Sequence, residues 1–483
     1  MLFLNVIVVI LVPLIFGLFL LSLFIGKKSD IFFFWEKLAL AFPLGLGFLV
    51  LLMFLMASAK IPLTFSNIIL AAGLIILFIV VTCCPRLKSP YLNVGIPEIN
   101  IKRFSLLEII LTSLITFKVI YVYFASIVKP LIDVDAFNYY SIVAKGIFFE
   151  KTFFTPYLWE FIHDKPLFPY LAQGWAFIGL GTINDALFKI LTPTLFLCLL
   201  VISYSALRKY YPGKYCLLAT FLLSSLPFLV FHVATAYADF TITFYYTIAS
   251  IYLFLFMKEF HLKNQEKADA NLVVALLFLG LTIWTKRAGI VLVGINVFVL
   301  LAFLAAYRKT IDLKKLIIPC LLFFLILLPW LVHGQAYAII NTLKAIVGIG
   351  GGKAVEAVAS TPVVENKAGV MCAIFLNKLF LYADWHLLWL LFLTTLIFFY
   401  KRVSGKPLVF FLVIILLGVS AIFVQFGTGE MFKWLIDGTL LDRLVMVSTP
   451  LALYFCAEVV IPSLKDNSLA IVTHASAKSK KGS

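Results

Sequence analysis

Charged residues are scarce in this chain. Only 13% of its 483 residues are Asp, Glu, Lys or Arg, whereas 63% are hydrophobic, and the mean hydropathy is +1.09. This composition excludes an ordinary soluble domain, because many apolar runs approach the length needed to cross a lipid bilayer. The runs also lack the period-two alternation of a transmembrane β-barrel. Membrane-spanning α-helices are therefore the expected structure.

Several familiar signatures are also missing. The seven cysteines form no CxxC pair and no Cys/His metal spacing. The glycine run 348–353 fails the phosphate-loop pattern at Val347 and Ala354. The net charge of +16 is better explained by basic cytoplasmic loops than by nucleic-acid binding.

The apolar runs predict an all-α polytopic membrane protein with about thirteen transmembrane helices. The short segment 166–181 opens with two prolines, so we expect a juxtamembrane helix at the outer surface, one of several in the loop 128–184. The predicted spans are 3–25, 37–57, 64–83, 105–127, 185–207, 214–232, 239–257, 269–285, 287–307, 316–334, 379–400, 407–425 and 443–463.

Basic residues set the expected orientation. With the N-terminus outside, more than half of the 39 Lys and Arg residues fall on the inner segments. The basic tail 464–483 is then cytoplasmic. The inner segments are 26–36, 84–104, 208–214, 258–268, 308–315, 401–406 and 464–483.

The loop 128–184 interrupts the apolar pattern and carries a concentration of acidic residues. Asp133 and Asp135 follow the fourth predicted span and precede the aromatic run AFNYY. On an extended chain these two carboxylates would point to the same side. Either one can act as a general base if it is held against an acceptor hydroxyl or amine. A solvated loop acid is the alternative reading.

Further charged residues lie at predicted outer helix ends. Asp239 begins a span and is either a second functional acid or a helix cap. Lys286 and Arg287 stand between two spans on the side where cations are not expected, and Arg443 opens the last span. These cations suit an anionic group such as a lipid phosphate, with snorkelling to headgroups as the alternative.

Weaker acceptor or metal candidates are His163, Asp164 and His386.

In their order, these residues resemble the GT-C membrane glycosyltransferases, in the branch of the protein O-mannosyltransferases and the lipid A aminoarabinose transferase. Asp135 to Lys145 matches the Asp that opens the first large outer loop and the helix after it. The similarity covers about residues 105–463. The other matches are Lys165-Pro166-Leu167-Phe168-Pro169-Tyr170, Tyr237-Ala238-Asp239, Thr285-Lys286, and Arg443 with Pro450.

The chain departs from this family in two places. Residues 1–104 supply additional N-terminal transmembrane helices before the catalytic module 105–463. Asp-Val-Asp replaces the usual Asp-Glu pair, so either Asp133 or Asp135 can be the base, and Asp135 fits the spacing better.

The resemblance implies an inverting transfer of a sugar from a polyprenyl-phosphate donor to a glycan, lipid or protein acceptor. Asp135 would be the base, while Lys286, Arg287, Arg443 and Lys165 would stabilise the lipid phosphate. Asp239 would orient the acceptor or Lys165. The expected location is the plasma (inner) membrane, with the active site on the outer face.

Two alternatives stay open. The chain can be a transporter or flippase of lipid-linked saccharides, or a glycan polymerase or ligase that uses a lipid pyrophosphate. No cofactor is required, although Asp133, Asp135, Asp239 and His163 offer oxygen and nitrogen ligands for a divalent metal.

Overall fold

The computed structural model describes residues 2–26, 31–83, 105–163, 165–331, 366–428 and 431–479. Within these ranges the regular structure is entirely helical, which confirms the all-α prediction.

The first half of the chain forms long helices separated by one region of short ones. A π-helical turn, Ala136–Ser141, lies between α4 and α5, and a 3₁₀ turn, Leu187–Ile190, leads into α8. The helices are α1 Leu2–Ile25, α2 Phe34–Ser58, α3 Phe65–Cys83, α4 Leu106–Val128, α5 Ile142–Glu150, α6 Pro156–Ile162, α7 Phe168–Leu180, α8 Leu191–Arg208, α9 Gly213–Ser224 and α10 Pro227–Ala234.

The second half continues the helical pattern. A 3₁₀ turn, Leu313–Leu316, precedes α14; a π-helical turn, Asn377–Leu381, and a 3₁₀ turn, Ala383–Trp385, precede α16. The helices are α11 Ala238–His261, α12 Gln265–Thr285, α13 Ala288–Ala306, α14 Ile317–Trp330, α15 Lys367–Leu376, α16 Leu388–Phe398, α17 Tyr400–Val403, α18 Lys406–Thr428, α19 Phe432–Ile436, α20 Leu441–Val445 and α21 Thr449–Ser479.

Ten helices of the described chain are long and apolar enough to cross a membrane. An eleventh span results if α9 and α10, which meet at a bend of 63°, are counted together. The expected count of about thirteen is not reached, because two predicted spans contain only shorter apolar segments: Leu388–Phe398 in 379–400, and Thr449–Leu464, the first part of α21, in 443–463. Pro450 explains one of these breaks, since proline favours the first turn of a new helix.

α11 is the central helix of the bundle. Every residue of its most apolar stretch is buried, and some of its polar groups bond to neighbouring helices. Tyr245 donates to the Pro43 carbonyl of α2 at 2.7 Å, and Asn296 of α13 donates to Ser250 at 2.8 Å. These bonds satisfy polar groups that neither lipid nor water reaches.

α1 and α2 pack through a glycine contact. A Cβ added to Gly17 would lie 1.8 Å from the Ala41 carbonyl oxygen, and one added to Gly45 would lie 1.8 Å from that of Pro13. Only glycine permits this approach of two helix backbones.

α7 corrects the expectation for 166–181. The segment is a separate helix too short to span a bilayer, but all of its residues are buried. Trp175 donates to the Val9 carbonyl at 3.1 Å, and Asn5 donates to the Leu180 carbonyl at 2.7 Å. α7 is therefore enclosed by protein, including α1, and does not present a free face to a membrane surface.

A polar network joins α2, α8, α11 and α21 near the C-terminal end of α11. Glu36 pairs with Lys209 at 2.6 Å and accepts from Tyr252 at 2.6 Å, while Lys258 pairs with Glu458 at 2.6 Å. Asp239 and Lys258 lie on one helix and are separated by about 28 Å of helix axis. The structure thus gathers residues from the predicted inner segments 26–36, 208–214 and 258–268 at one end of the bundle.

Candidate functional site

Four of the residues singled out from the sequence meet at one end of the bundle. Asp135 precedes the π-helical turn, and Asp239 lies in the first turn of α11. Lys286 joins α12 to α13, and Arg443 lies in α20. More than 300 residues separate Asp135 from Arg443. We call these four residues the charge cluster.

Arg443 bridges the two carboxylates of the charge cluster. Its Nη2 atom lies 2.7 Å from Asp135 Oδ2 and 2.7 Å from Asp239 Oδ2, and its Nε atom lies 3.2 Å from Asp239 Oδ2. Lys286 Nζ lies 2.5 Å from Asp239 Oδ1. Both oxygens of Asp239 therefore face cations.

The two carboxylates differ in their access to solvent. The side chain of Asp239 is 2% exposed, whereas that of Asp135 is 34% exposed. A buried carboxylate needs close cations to offset the loss of hydration, and Asp239 has two. Asp135 is accessible to a substrate, which fits a base better than the enclosed Asp239. The two oxygens of Asp239 are turned toward Lys286 and Arg443.

Aromatic residues surround the charge cluster. The guanidinium of Arg443 lies 4.9 Å from the centre of the Tyr237 ring, a cation–π contact. The Tyr140 and Tyr170 rings pack with centroids 5.4 Å apart. Burial raises the pKa of the Tyr140 phenol well above its usual value, and the nearby charges of Asp239 and Asp135 add to the rise.

Burial alone would lower the pKa of Arg443, but Asp239 and Asp135 outweigh burial and raise it. The guanidinium is consequently a fixed positive charge over the working pH range.

The short helix α20 is anchored by a second ion pair. Lys378 Nζ lies 2.7 Å from Asp442 Oδ2 and 4.0 Å from Asp384. Burial raises the pKa of the Asp442 carboxyl, and Lys378 opposes that rise. Since Asp442 immediately precedes Arg443, this pair fixes the helix that presents the guanidinium. Arg443 was expected to open the last span, but α20 is separate from α21.

The turn that carries Lys286 is held by close backbone packing. Lys286 is extended, with φ −160° and ψ 153°, between α12 and α13. A Cβ added to Gly289 would lie 2.5 Å from the Thr282 carbonyl oxygen, so a side chain there would push α13 away from α12. The glycine thus allows the tight turn that directs Lys286 toward Asp239.

Asp133 does not share the environment of Asp135. It pairs with Lys129 at 2.9 Å, in an i,i+4 arrangement. The expectation of an extended chain is wrong, because the backbone is already helical at Asp135, with φ −65° and ψ −37°. Side chains two positions apart on a helix point in different directions. The structure therefore separates the two candidate bases, and Asp135 alone of the two contacts Arg443 in the described chain.

The remaining predicted cations are less central. Lys165 Nζ lies 4.8 Å from the centre of the ring of Tyr139, and Tyr139 follows Asp135 by four residues. Arg287 is exposed and caps the start of α13.

Two predicted histidines lie elsewhere. His163 Nδ1 lies 3.1 Å from the Glu160 carbonyl oxygen, and His386 Nε2 lies 3.0 Å from that of Ser225. Both rings thus lie near backbone carbonyls and are exposed. Asp164 lies outside the described residues.

The sequence analysis did not single out His232, which lies near the aromatic residues of the site. His232 is buried 5.6 Å from Tyr237, ring centre to ring centre. His232 stands within an apolar run, and the sequence alone gives no sign that α10 turns it toward α11. A polar residue inside an otherwise apolar short helix is the one available signal.

A small cavity adjoins the charge cluster. It measures about 30 Å³ and is lined in part by Gln173, Lys189, Tyr237 and Thr241. This volume holds about one water molecule, so a larger ligand would have to lie outside this cavity.

The charge cluster does not fit a divalent metal. No group of three or more His, Cys, Asp or Glu side chains comes together in the part of the chain that the structure describes. Asp135 and Asp239 already share a guanidinium, and His163 bonds elsewhere. A metal bound by Asp135 and Asp239 would need to displace Arg443.

No protein-family model, no curated protein and no solved structure matches the chain.

Proposed function

We propose that this protein is an integral membrane glycosyltransferase that moves a sugar from a polyprenyl-phosphate donor to a hydroxyl or amine acceptor. The observation that carries the proposal is the charge cluster. It joins one accessible carboxylate to two cations at one end of a bundle of membrane-length helices. A lipid phosphate presents its charge at this depth, near the ends of such helices.

In this mechanism Asp135 accepts the proton of the acceptor hydroxyl or amine. The acceptor oxygen or nitrogen forms a bond to the sugar C1 atom, while the bond between C1 and the phosphate oxygen breaks. Arg443 and Lys286 stabilise the charge on the departing polyprenyl phosphate. Attack opposite the leaving group inverts the configuration at C1. The proton on Asp135 then passes to solvent.

Asp239 has a positioning role in this mechanism. Its two oxygens hold Lys286 and Arg443 at hydrogen-bond distance, so the cations stand ready before the donor arrives. Such preorganisation lowers the cost of aligning charges in the transition state. We place the site at the outer face of the plasma membrane, because Lys and Arg concentrate on the predicted inner segments, and such segments face the cytoplasm.

The first test is sugar transfer by the purified protein from radiolabelled polyprenyl-phosphate sugars to a membrane extract. Asp135→Asn should lower the transfer rate about 100-fold or more, because general-base catalysis commonly contributes that much. Asp133→Asn is the matched control, since it removes an equal charge two residues away, and it should keep most of the activity.

The outcomes separate the candidate functions. A loss confined to Asp133→Asn would keep the reaction class and move the base. Transfer from lipid pyrophosphates alone would favour a polymerase or ligase. Movement of lipid-linked sugar across proteoliposomes, equal in wild type and both variants and without covalent transfer, would replace the enzyme by a transporter.

A further inference from the structure

The bonds that Arg443 makes to its two carboxylates are unequal. Asp239 accepts hydrogen bonds from both Nε and Nη2 of Arg443, and it lies on the buried helix α11. Asp135 accepts a hydrogen bond from Nη2 of Arg443 alone, and it lies in the short connection before the π-helical turn. The side chain of Asp135 is also far more exposed than that of Asp239. The bond to Asp239 is therefore the anchored one, and the bond to Asp135 is the one that a ligand can reach.

The charges of the four side chains balance. Asp135 and Asp239 supply two negative charges, and Lys286 and Arg443 supply two positive charges. A phosphate entering from the exposed side would compete with Asp135, because both offer an anionic oxygen to the same guanidinium N–H. Asp239 does not compete in this way, since it is buried behind the cations.

We propose that Asp135 occupies the place of the donor phosphate on Arg443 before the donor binds, and that donor binding releases it to act as the base. This inference rests on the proposed function and concerns the order of events at the same site. A carboxylate oxygen that accepts a guanidinium hydrogen bond is less available for the proton of an acceptor. The acceptor is therefore activated only after the phosphate has taken the Arg443 N–H groups, and the donor binds first.

Arg443 is thus both a phosphate ligand and a positioning residue for the base. The coupling has a measurable signature, because a ligand that must displace an internal competitor binds more weakly than its intrinsic affinity. Removing the competitor should tighten phosphate binding even though it abolishes catalysis. A residue with a purely structural role would not produce that gain.

The experiment measures binding of farnesyl phosphate, and separately of inorganic phosphate, to the full-length protein in detergent. Asp135→Asn should tighten farnesyl phosphate binding by about three- to tenfold, the range set by a partly exposed charge pair. Asp133→Asn, which removes an equal charge from the same loop, should change binding by less than about twofold, because Asp133 pairs with Lys129 and not, within the described chain, with the Arg443 that the phosphate would contact.

A double-mutant cycle isolates the role of Arg443. In the Arg443→Gln background, Asp135→Asn should no longer tighten binding, whereas general charge repulsion would persist there. Thermal unfolding of each variant checks that it is folded. If Arg443→Gln does not fold, the comparison of Asp135→Asn with Asp133→Asn decides alone, since repulsion would tighten both about equally.

Each result has one meaning. Farnesyl phosphate bound by the wild type but no tighter by Asp135→Asn overturns the inference and leaves the proposed function standing. Binding of neither phosphate by any variant overturns both. An Arg443-dependent gain with inorganic phosphate alone supports the release of Asp135 but contradicts a lipid-linked donor.

Discussion

At the residue scale, the pair Lys378–Asp442 determines where Arg443 stands. Asp442 is buried, and Lys378 Nζ lies 2.7 Å from it and 4.0 Å from the more distant carboxylate of Asp384. Substituting one partner leaves a buried charge without compensation, which is more costly than removing both.

Lys378→Met should therefore lower the free energy of unfolding by about 2–4 kcal/mol. It should also raise the donor KM more than it lowers kcat, since α20 would no longer hold Arg443 in place. Thermal unfolding in detergent and transfer kinetics measure the two effects. Adding Asp442→Asn should recover part of the stability.

The matched control is Lys433→Met, because Lys433 is exposed and stacks on Trp434. Its unfolding free energy should stay within about 0.5 kcal/mol of the wild type. Equal losses in both variants would show that the ion pair has no special role.

The sequence predicted which residues form the charge cluster better than how they pair. Asp135, Asp239, Lys286 and Arg443 were recognisable because each stands at the end of an apolar run, on one predicted side of the membrane. Their pairing depends on the rotation of each helix about its axis, and periodicity does not determine that rotation when nearly every position is apolar. Asp239 was accordingly expected to orient an acceptor or Lys165, although it binds two other cations.

At the element scale, the crossing of α1 and α2 depends on glycine. Gly45→Ala would place a Cβ 1.8 Å from the Pro13 carbonyl oxygen, and a backbone oxygen cannot rotate away as a side chain can. The two helices must separate, which should cost about 1–3 kcal/mol of unfolding free energy. A lower unfolding temperature in detergent would be the sign of this separation.

Gly73→Ala provides the comparison, because a Cβ at Gly73 of α3 meets nothing within 4 Å. Alanine is the better helix former by about 1 kcal/mol, so this variant should be as stable as the wild type or more stable. If Gly45→Ala were as harmless as Gly73→Ala, the described helix crossing would be incorrect.

Helix existence followed from the apolar runs, whereas helix ends and breaks did not. The bend between α9 and α10 falls at Leu226-Pro227, inside what the sequence presents as one span, 214–232. The predicted span 379–400 is broken at His386, whose φ of +49° interrupts helical geometry before α16. Hydropathy averages over such positions, so it overestimates the number of complete spans.

At the scale of the whole molecule, the network opposite the charge cluster should make stability sensitive to alkaline pH. Burial raises the pKa of Tyr210 and Tyr211 above their ordinary value of 10.0, and the charges of Glu259 and Glu458 add to the rise. Tyr211 donates to Glu458 at 2.7 Å. Both phenols thus stay protonated in the folded protein at a pH where they ionise in the unfolded chain.

The sign follows from linkage. A group with a raised folded-state pKa contributes its full stability below pH 10 and loses it as the pH rises further. Unfolding free energy should fall by up to about 1.4 kcal/mol per pH unit for each tyrosine above pH 10. Unfolding temperatures between pH 8 and pH 11 should fall less steeply in Tyr211→Phe than in the wild type. An unchanged slope would contradict the assignment.

Fold class and the grouping of inner segments followed from composition and charge. The enclosure of α7 did not, because a short apolar helix has the same pattern whether lipid or protein surrounds it. Two hydrogen bonds hold α7 against α1: the Val9 carbonyl accepts from Trp175, and the Leu180 carbonyl accepts from Asn5.

These bonds to α1 also have a consequence for biogenesis. A ribosome delivers α1 and α2 to the membrane well before α7, α8 and α11 emerge. The Val9 carbonyl and the Glu36 carboxylate therefore enter the bilayer first. Trp175, Lys209 and Tyr252 donate hydrogen bonds to them only later. We therefore expect the first two helices to act as a template on which the later helices, including those that carry the charge cluster, are assembled.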